Sequence, residues 1–236
     1  KYLPSYAGFL LEREVSMLSK VNDFPVAPFV LVLGGAKVSD KIGVVEHLLR
    51  KVATICIGGG MAFTFLAARG YGTGRSLLEE DKVSFAREMM ERAKSNGVEI
   101  LLPEDILLAQ SFDSDTYRVA GAAEIKENEM GLDIGPATVH LFEKRVRSAK
   151  TVLWNGPMGV FERAAYAGGT RGVGEALKEC TISGGTTVIG GGDTAAAAKT
   201  LGFASDVSHV STGGGASLEF FEGKLLPGIE PLLLDK

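Results

Sequence analysis

A chain of 236 residues that is 45% hydrophobic and 23% charged has the composition of an ordinary soluble globular protein, long enough to bury a sizeable core. Its formal charge of −4 supplies no general basic field, which argues against nucleic acid or an anionic membrane as partner; any anion must be held by a local device. There is no signal-peptide pattern and no apolar run of about 18 residues, and Cys56 and Cys180 lack paired spacing, so the expected setting is a reducing cytoplasm with both cysteines buried.

The chain opens Lys1-Tyr2-Leu3-Pro4, without an initiator methionine, and runs at once into SYAGFLLEREVSMLSK, an amphipathic helical pattern. That beginning suggests a start inside a longer protein, the alternative being removal of a short leader or tag. Next, FVLVL reads as a buried strand that breaks on Gly34-Gly35 and leads into a helix whose start carries Lys37 and Lys41 one turn apart. The same order of strand, glycines and helix recurs in ATICIGGGMAFTFLAARG, TVLWNGPMGVFE, TTVIGGGDTAAAAKTLG and SHVSTGGGASLEFFEG. This repetition predicts parallel strands joined by crossover helices: the α/β class, a Rossmann-like parallel sheet with helices on both faces in a three-layer sandwich. Between these units, EEDKVSFAREMMERAKSNG predicts a long charged-faced helix ending at Gly97. VEILLP, DILLAQSF and TYRVAGA predict strands, and GPATVHLFEKRVRSAK a helix with Pro136 near its first turn. No low-complexity tract or linker intervenes, so residues 1–236 are expected to form one domain.

The glycines that matter follow the strands. In an open parallel sheet that is the carboxyl edge, where ligands bind and helix N-termini offer N–H groups to phosphate. Lysines at a helix N-terminus oppose its partial positive charge unless an anion sits between them, so Lys37 and Lys41 favour phosphate ligation over two merely solvated side chains. No G-x-x-x-x-G-K-[ST] exists, which excludes a standard P-loop. Gly190-x-Gly192-x-x-Ala195 matches a dinucleotide fingerprint, but SHVS runs into Thr212 and Gly213 where an acidic residue is expected. A nicotinamide-dependent dehydrogenase domain therefore stays as an alternative, as does a stand-alone nucleotide-binding module. Asp193 suits a plain N-cap as well as a metal ligand. STGGGAS, residues 211–217, is either a tight turn or a nest of N–H groups for negative charge. Trp154 reads as core, and His209 as a structural histidine in a strand.

The stretches LGGAKVSDKIGV, IGGGMAFTFL, SLLEEDK, GLDIGPAT, VLWNGPMGVFE, GGGDTAAA and HVSTGGGASLEF, in that order, resemble phosphoglycerate kinase and span nearly the whole chain. The resemblance is to the C-terminal, nucleotide-binding half of that two-domain enzyme, with the N-terminal phosphoglycerate-binding half absent. It implies phosphoryl transfer between 1,3-bisphosphoglycerate and ADP, giving 3-phosphoglycerate and ATP, with Mg²⁺ as cofactor. By this resemblance Lys37 touches the phosphates where transfer occurs, Lys41 stabilises the migrating group, and Gly213, Gly214 and Gly215 lie near it. Asp193 holds the Mg²⁺ of the nucleotide, and Thr194 caps the helix and touches phosphate. Asn155 and Pro157 fall to the sugar-phosphate region, Val160 to the adenine slot and Glu162 to the ribose hydroxyls. Gly59, Gly60, Leu78, Gly131 and Leu132 match the remaining adenine wall, and Gly35, Ala36 and Gly192 complete the nucleotide-binding set. The chain alone is expected to bind Mg·ADP or Mg·ATP as a monomer without turnover. The apolar LLPGIEPLLLDK is expected to turn back toward the absent half and to risk self-association without it.

Overall fold

The computed structural model describes residues 6–232. In chain order the helices are α1 (Phe9–Asn22), α2 (Ile42–Leu48), α3 (Ala62–Ala68), α4 (Val83–Ser95), α5 (Pro136–Ser148), α6 (Gly168–Ile182), α7 (Gly192–Leu201) and α8 (Gly215–Phe221). The strands are β1 (Phe29–Leu33), β2 (Thr54–Ile57), β3 (Glu99–Leu101), β4 (Asp105–Ala109), β5 (Arg118–Gly121), β6 (Met130–Ile134), β7 (Thr151–Asn155), β8 (Thr186–Gly190) and β9 (His209–Val210).

The main sheet has the order β3-β2-β1-β7-β8-β9 with every pair parallel. Strands β1, β2, β7 and β8 are buried along their whole length, which is why they read as unbroken apolar runs rather than alternating ones. Their side chains alternate between two cores. Phe29, Leu31 and Leu33 pack with Leu18 of α1, Leu48 of α2, Phe65 of α3, Met89 of α4 and Phe221 of α8. Val30, Val32 and Trp154 pack with Phe142 of α5, Leu177 of α6 and Ala198 of α7. Helices thus cover both faces in the expected three layers. Trp154 is fully buried and stacks on Phe203 at 5.6 Å between ring centres.

Two features depart from expectation. A second sheet, antiparallel with order β5-β4-β6, stands apart from the first. DILLAQSF and TYRVAGA do contribute β4 and β5, but their third partner β6 carries Gly131 and Asp133, residue types depleted in strands, and its pairing with β4 shifts register at Leu107/Leu108. The helix after β1 also starts later than the lysine spacing suggests. Ser39–Lys41 form a 3₁₀ turn, α2 begins at Ile42, and Lys37 stays in the preceding loop. The start of the N-terminal helical pattern at Ser5 and the end of the apolar C-terminal stretch, residues 233–236, lie outside the described residues. The part of that stretch within them ends in a 3₁₀ turn, Glu230–Leu232, and exposes Leu225. Among the described residues no helix is long and apolar enough to cross a membrane.

Candidate active site at the carboxyl edge of the sheet

Chain order reverses beside β1, which has β2 on one side and β7 on the other. A crevice opens at such a switch point outside the carboxyl ends of the strands. The loops after β1, β2 and β7 are laced together there by main-chain hydrogen bonds. Gly34 N–H donates to Asn155 O at 2.9 Å, Gly35 N–H to Pro157 O at 2.9 Å, Gly59 N–H to Met158 O at 3.0 Å and Met61 N–H to Gly35 O at 3.0 Å. The lacing explains one glycine directly: Gly59 has φ +63, and a Cβ on it would run into the main chain of Gly35.

Two cavities share these loops. The first, of about 350 Å³, is mainly apolar and lies between the glycine loops of the main sheet and the second sheet. Gly59, Gly60, Gly131, Leu132, Pro157, Val160 and Glu162 line it together with Phe63, Leu77 and Ile106. Val160 is tied to the second sheet by its N–H to Leu132 O at 2.9 Å. Leu78 is not in the lining; its neighbour Leu77 is. The two adjacent leucines of RSLLEED differ by one residue of register that spacing alone does not resolve.

The second cavity, about 330 Å³, is lined by Lys37, Asp40, Lys41, Asn155, Gly192, Asp193, Thr194, Gly214 and Gly215. Gly35, Ala36 and Asp193 line both cavities, so an apolar slot and a cation-bearing opening meet at a common wall. Burial lowers the Lys41 pKa, against the opposing pull of Asp40 and Asp193. The lysine is thus a partly desolvated cation near two carboxylates, Asp40 and Asp193, that favour its charged form. Asn155 is buried and its Nδ2 has no hydrogen-bond partner, an arrangement that costs about 1–3 kcal/mol unless a ligand accepts from it.

Three sequence-derived roles change in detail. Asp193 is not the helix cap: Gly191, with φ +86, occupies that position, and no side-chain cap is made, which leaves the Asp193 carboxylate at the second helical residue. Thr194 does not cap either, because it is buried and its Oγ1 accepts the Gly156 N–H at 2.6 Å, fastening α7 to the loop after β7. Gly213 lies outside the lining; its N–H donates to Ser211 Oγ at 3.1 Å and its carbonyl accepts from Ala216, so its polar groups face the chain itself.

Sequence reasoning missed Asp133. It lines the floor of the apolar cavity and is buried, its Oδ2 accepting the Gly169 N–H at 2.7 Å near the start of α6. Burial pushes its pKa up to about 7 even though the N–H groups of Gly169, Ile134 and Gly168 favour the charged form. The only sequence sign of it was an acid inside an apolar segment, GLDIGP.

Among the described residues no group of three or more His, Cys, Asp and Glu is placed to hold a metal ion unaided. The opening carries two carboxylates, Asp40 and Asp193, beside its two lysines, and a carboxylate at Asp193 suits a magnesium ion whose other ligands arrive on phosphate oxygens and water.

Fold and crevice together define a Rossmann-like α/β sandwich whose working edge is the carboxyl end of its parallel sheet. The family model described as phosphoglycerate kinase matches residues 1–224, and the chain belongs to that family. It is 57% identical over 226 residues to the phosphoglycerate kinase of Clostridium novyi (strain NT), covering 95% of this chain and 56% of that protein. It is 53% identical over 229 residues to the one from Chloroherpeton thalassium (strain ATCC 35110 / GB-78), covering 97% and 58%. Among solved structures, the phosphoglycerate kinase from Coxiella burnetii superimposes with a TM-score of 0.91 at 42% identity, over 96% of this chain and 58% of that one. The chain thus spans rather more than half the length of the relatives it matches. Family membership removes the reason to keep the dehydrogenase alternative.

Proposed function

We propose that the chain is the nucleotide-binding half of a phosphoglycerate kinase, a cytoplasmic glycolytic enzyme that moves a phosphoryl group between 1,3-bisphosphoglycerate and ADP. The observation that carries this reading is the shared wall: an apolar slot of a size for a flat base opens directly onto a pocket with two lysines. In this reading adenine lies between Gly59-Gly60 and Gly131-Leu132 against Val160, and Glu162 accepts from the ribose hydroxyls. Lys37 and Lys41 face the phosphates, Asn155 Nδ2 donates to them, and the N–H groups of Gly214 and Gly215 face the migrating phosphoryl group. Mg²⁺ bound at Asp193 would neutralise phosphate charge.

Phosphoryl transfer asks of a protein mainly position and electrostatic stabilisation. The lysines supply charge where the equatorial oxygens gather negative charge, and partial burial of Lys41 strengthens that field. No arginine lines the polar opening, so nothing among its described walls offers bidentate recognition of a triply charged acceptor. The acceptor site accordingly belongs to the remaining length of the relatives, and this chain by itself binds nucleotide as a monomer without turning it over.

Calorimetry with Mg·ADP, adenosine and NAD, beside a coupled assay with ATP, Mg²⁺ and 3-phosphoglycerate, tests the reading. Expected are tight Mg·ADP, weak adenosine, no competition by NAD and no turnover. Equal affinity for ADP and adenosine would overturn the phosphate assignment. Turnover near that of an intact kinase, with contamination excluded, would overturn the placement of the acceptor site.

A further inference from the structure

Glu79 lines neither cavity, yet it holds the segment on which both lysines ride. Its carboxylate accepts hydrogen bonds from the Val38 N–H, from the Ser39 N–H at 3.2 Å and from the Ser39 hydroxyl at 2.6 Å. The 3₁₀ turn Ser39–Lys41 has no side-chain cap from its own flanking residue, so a carboxylate about 40 positions along the chain takes that place. Val38 is buried in the core between the two lysines, which fixes the middle of the loop, and Glu79 fixes the main chain on either side of the Val38–Ser39 peptide. Glu79 is anchored in turn: its own N–H donates to Thr64 Oγ1 at 3.2 Å, and Thr64 is buried on α3. Three residues earlier, Ser76 Oγ accepts the Gly131 N–H at 2.9 Å, and Leu77 lines the apolar cavity. A single short segment therefore braces the wall of one cavity and the cationic loop of the other.

We infer that Glu79 is a positioning residue: it sets Lys37 and Lys41 for phosphate by holding the turn between them, without touching the ligand. The inference rests on the nucleotide reading above. Its sign is diagnostic, because two effects of removing Glu79 oppose each other. By charge alone, deleting a carboxylate near an anion site strengthens anion binding. By position, freeing the loop weakens it, since both lysines would have to be ordered again on binding. The Glu79 charge is already met by three donors, so the positional effect is expected to dominate.

The test compares Mg·ADP and adenosine binding by calorimetry for the unaltered chain, Glu79→Ala and Glu79→Asp. Expected for Glu79→Ala is about a tenfold loss of Mg·ADP affinity with adenosine affinity held within about twofold, and partial recovery in Glu79→Asp. Adenosine serves as the internal control for folding, since the apolar cavity reports the integrity of the domain. Unchanged or tighter Mg·ADP binding in Glu79→Ala overturns the inference while leaving the nucleotide reading intact, and so does a parallel loss for both ligands. If the unaltered chain itself shows no preference for Mg·ADP over adenosine, the nucleotide reading fails and takes this inference with it.

Discussion

The Glu14 carboxylate on α1 accepts a hydrogen bond from His209 Nε2 on β9 at 2.9 Å, joining residues 195 positions apart. Both are buried, and the Ser211 hydroxyl donates to the same carboxylate. Burial alone would raise the Glu14 pKa, but the donors from Ser211 and His209 outweigh it and hold the group below the ordinary carboxylate value. The contact sits at the root of the loop that carries Gly214 and Gly215 to the polar opening.

A depressed carboxylate pKa stabilises the fold above the unfolded-state value, and that stabilisation is lost as pH falls through the folded-state value. Glu14→Gln should therefore cost about 1–3 kcal/mol in urea unfolding at pH 7. The gap between the variant and the parent should narrow in acid. A gap that stays constant down to pH 3 would mean that the charge of Glu14 contributes nothing.

Asp133 has the opposite sign. Its folded-state pKa, pushed up to about 7, means that the folded chain takes up a proton between about pH 4 and pH 7 that the unfolded chain releases. Stability should decline as pH rises through that interval, by on the order of 4 kcal/mol in all. Asp133→Asn keeps an oxygen for the Gly169 N–H and should flatten this part of the profile, which urea titrations at pH 5 and pH 8 would detect.

Lys37→Ala and Gly131→Ala should separate the two cavities. Removing one charge-assisted contact is expected to weaken Mg·ADP by about 1.5–3 kcal/mol and leave adenosine nearly unchanged. A Cβ at Gly131 would meet the Phe63 ring and come within 2.8 Å of Ile106 Cγ2. Crowding of that kind costs about 1–3 kcal/mol and should weaken adenosine and Mg·ADP together. Calorimetry with both ligands distinguishes the two patterns.

Asp193→Asn should abolish much of the gain in nucleotide affinity from added Mg²⁺ without loss of thermal stability. The carboxylate makes no cap hydrogen bond, so its replacement removes charge and little else. Nucleotide titrations with and without Mg²⁺ check this; an unchanged magnesium gain would remove Asp193 from the metal site.

The parallel sheet was legible because its central strands are buried on both faces and are followed by glycine: four of the strand–glycine–helix units named from the sequence appear, including the one at the two-residue β9, whereas TVLWNGPMGVFE supplies β7 and its glycine loop but no helix, since α6 begins only at Gly168. Pro136 marks the first turn of α5 and Trp154 lies in the core, both for local reasons that spacing and side-chain size reveal. What was hidden depends on tertiary geometry. Nothing local tells Leu77 from Leu78, and a strand with Gly131 and Asp133 gains its identity only by pairing with β4. The inward turn of Thr194 toward Gly156, and of Gly213 toward Ser211, is likewise set by partners distant or folded back. Residues facing a ligand and residues facing the protein share one composition at a glycine-rich edge.

The floor where the two cavities meet is woven from main chain: Gly34, Gly35 and Gly59 donate to Asn155, Pro157 and Met158 across three loops. Such a floor has no rotamers to freeze when a ligand arrives, so the ordering entropy of binding falls on long side chains such as Lys37 and on the ligand itself. It also lets the sheet core act as a datum. Because each lacing bond starts or ends within two residues of a buried strand, a shift of the crevice walls would have to drag the sheet with it, and motion during a working cycle is confined to what hangs from this floor.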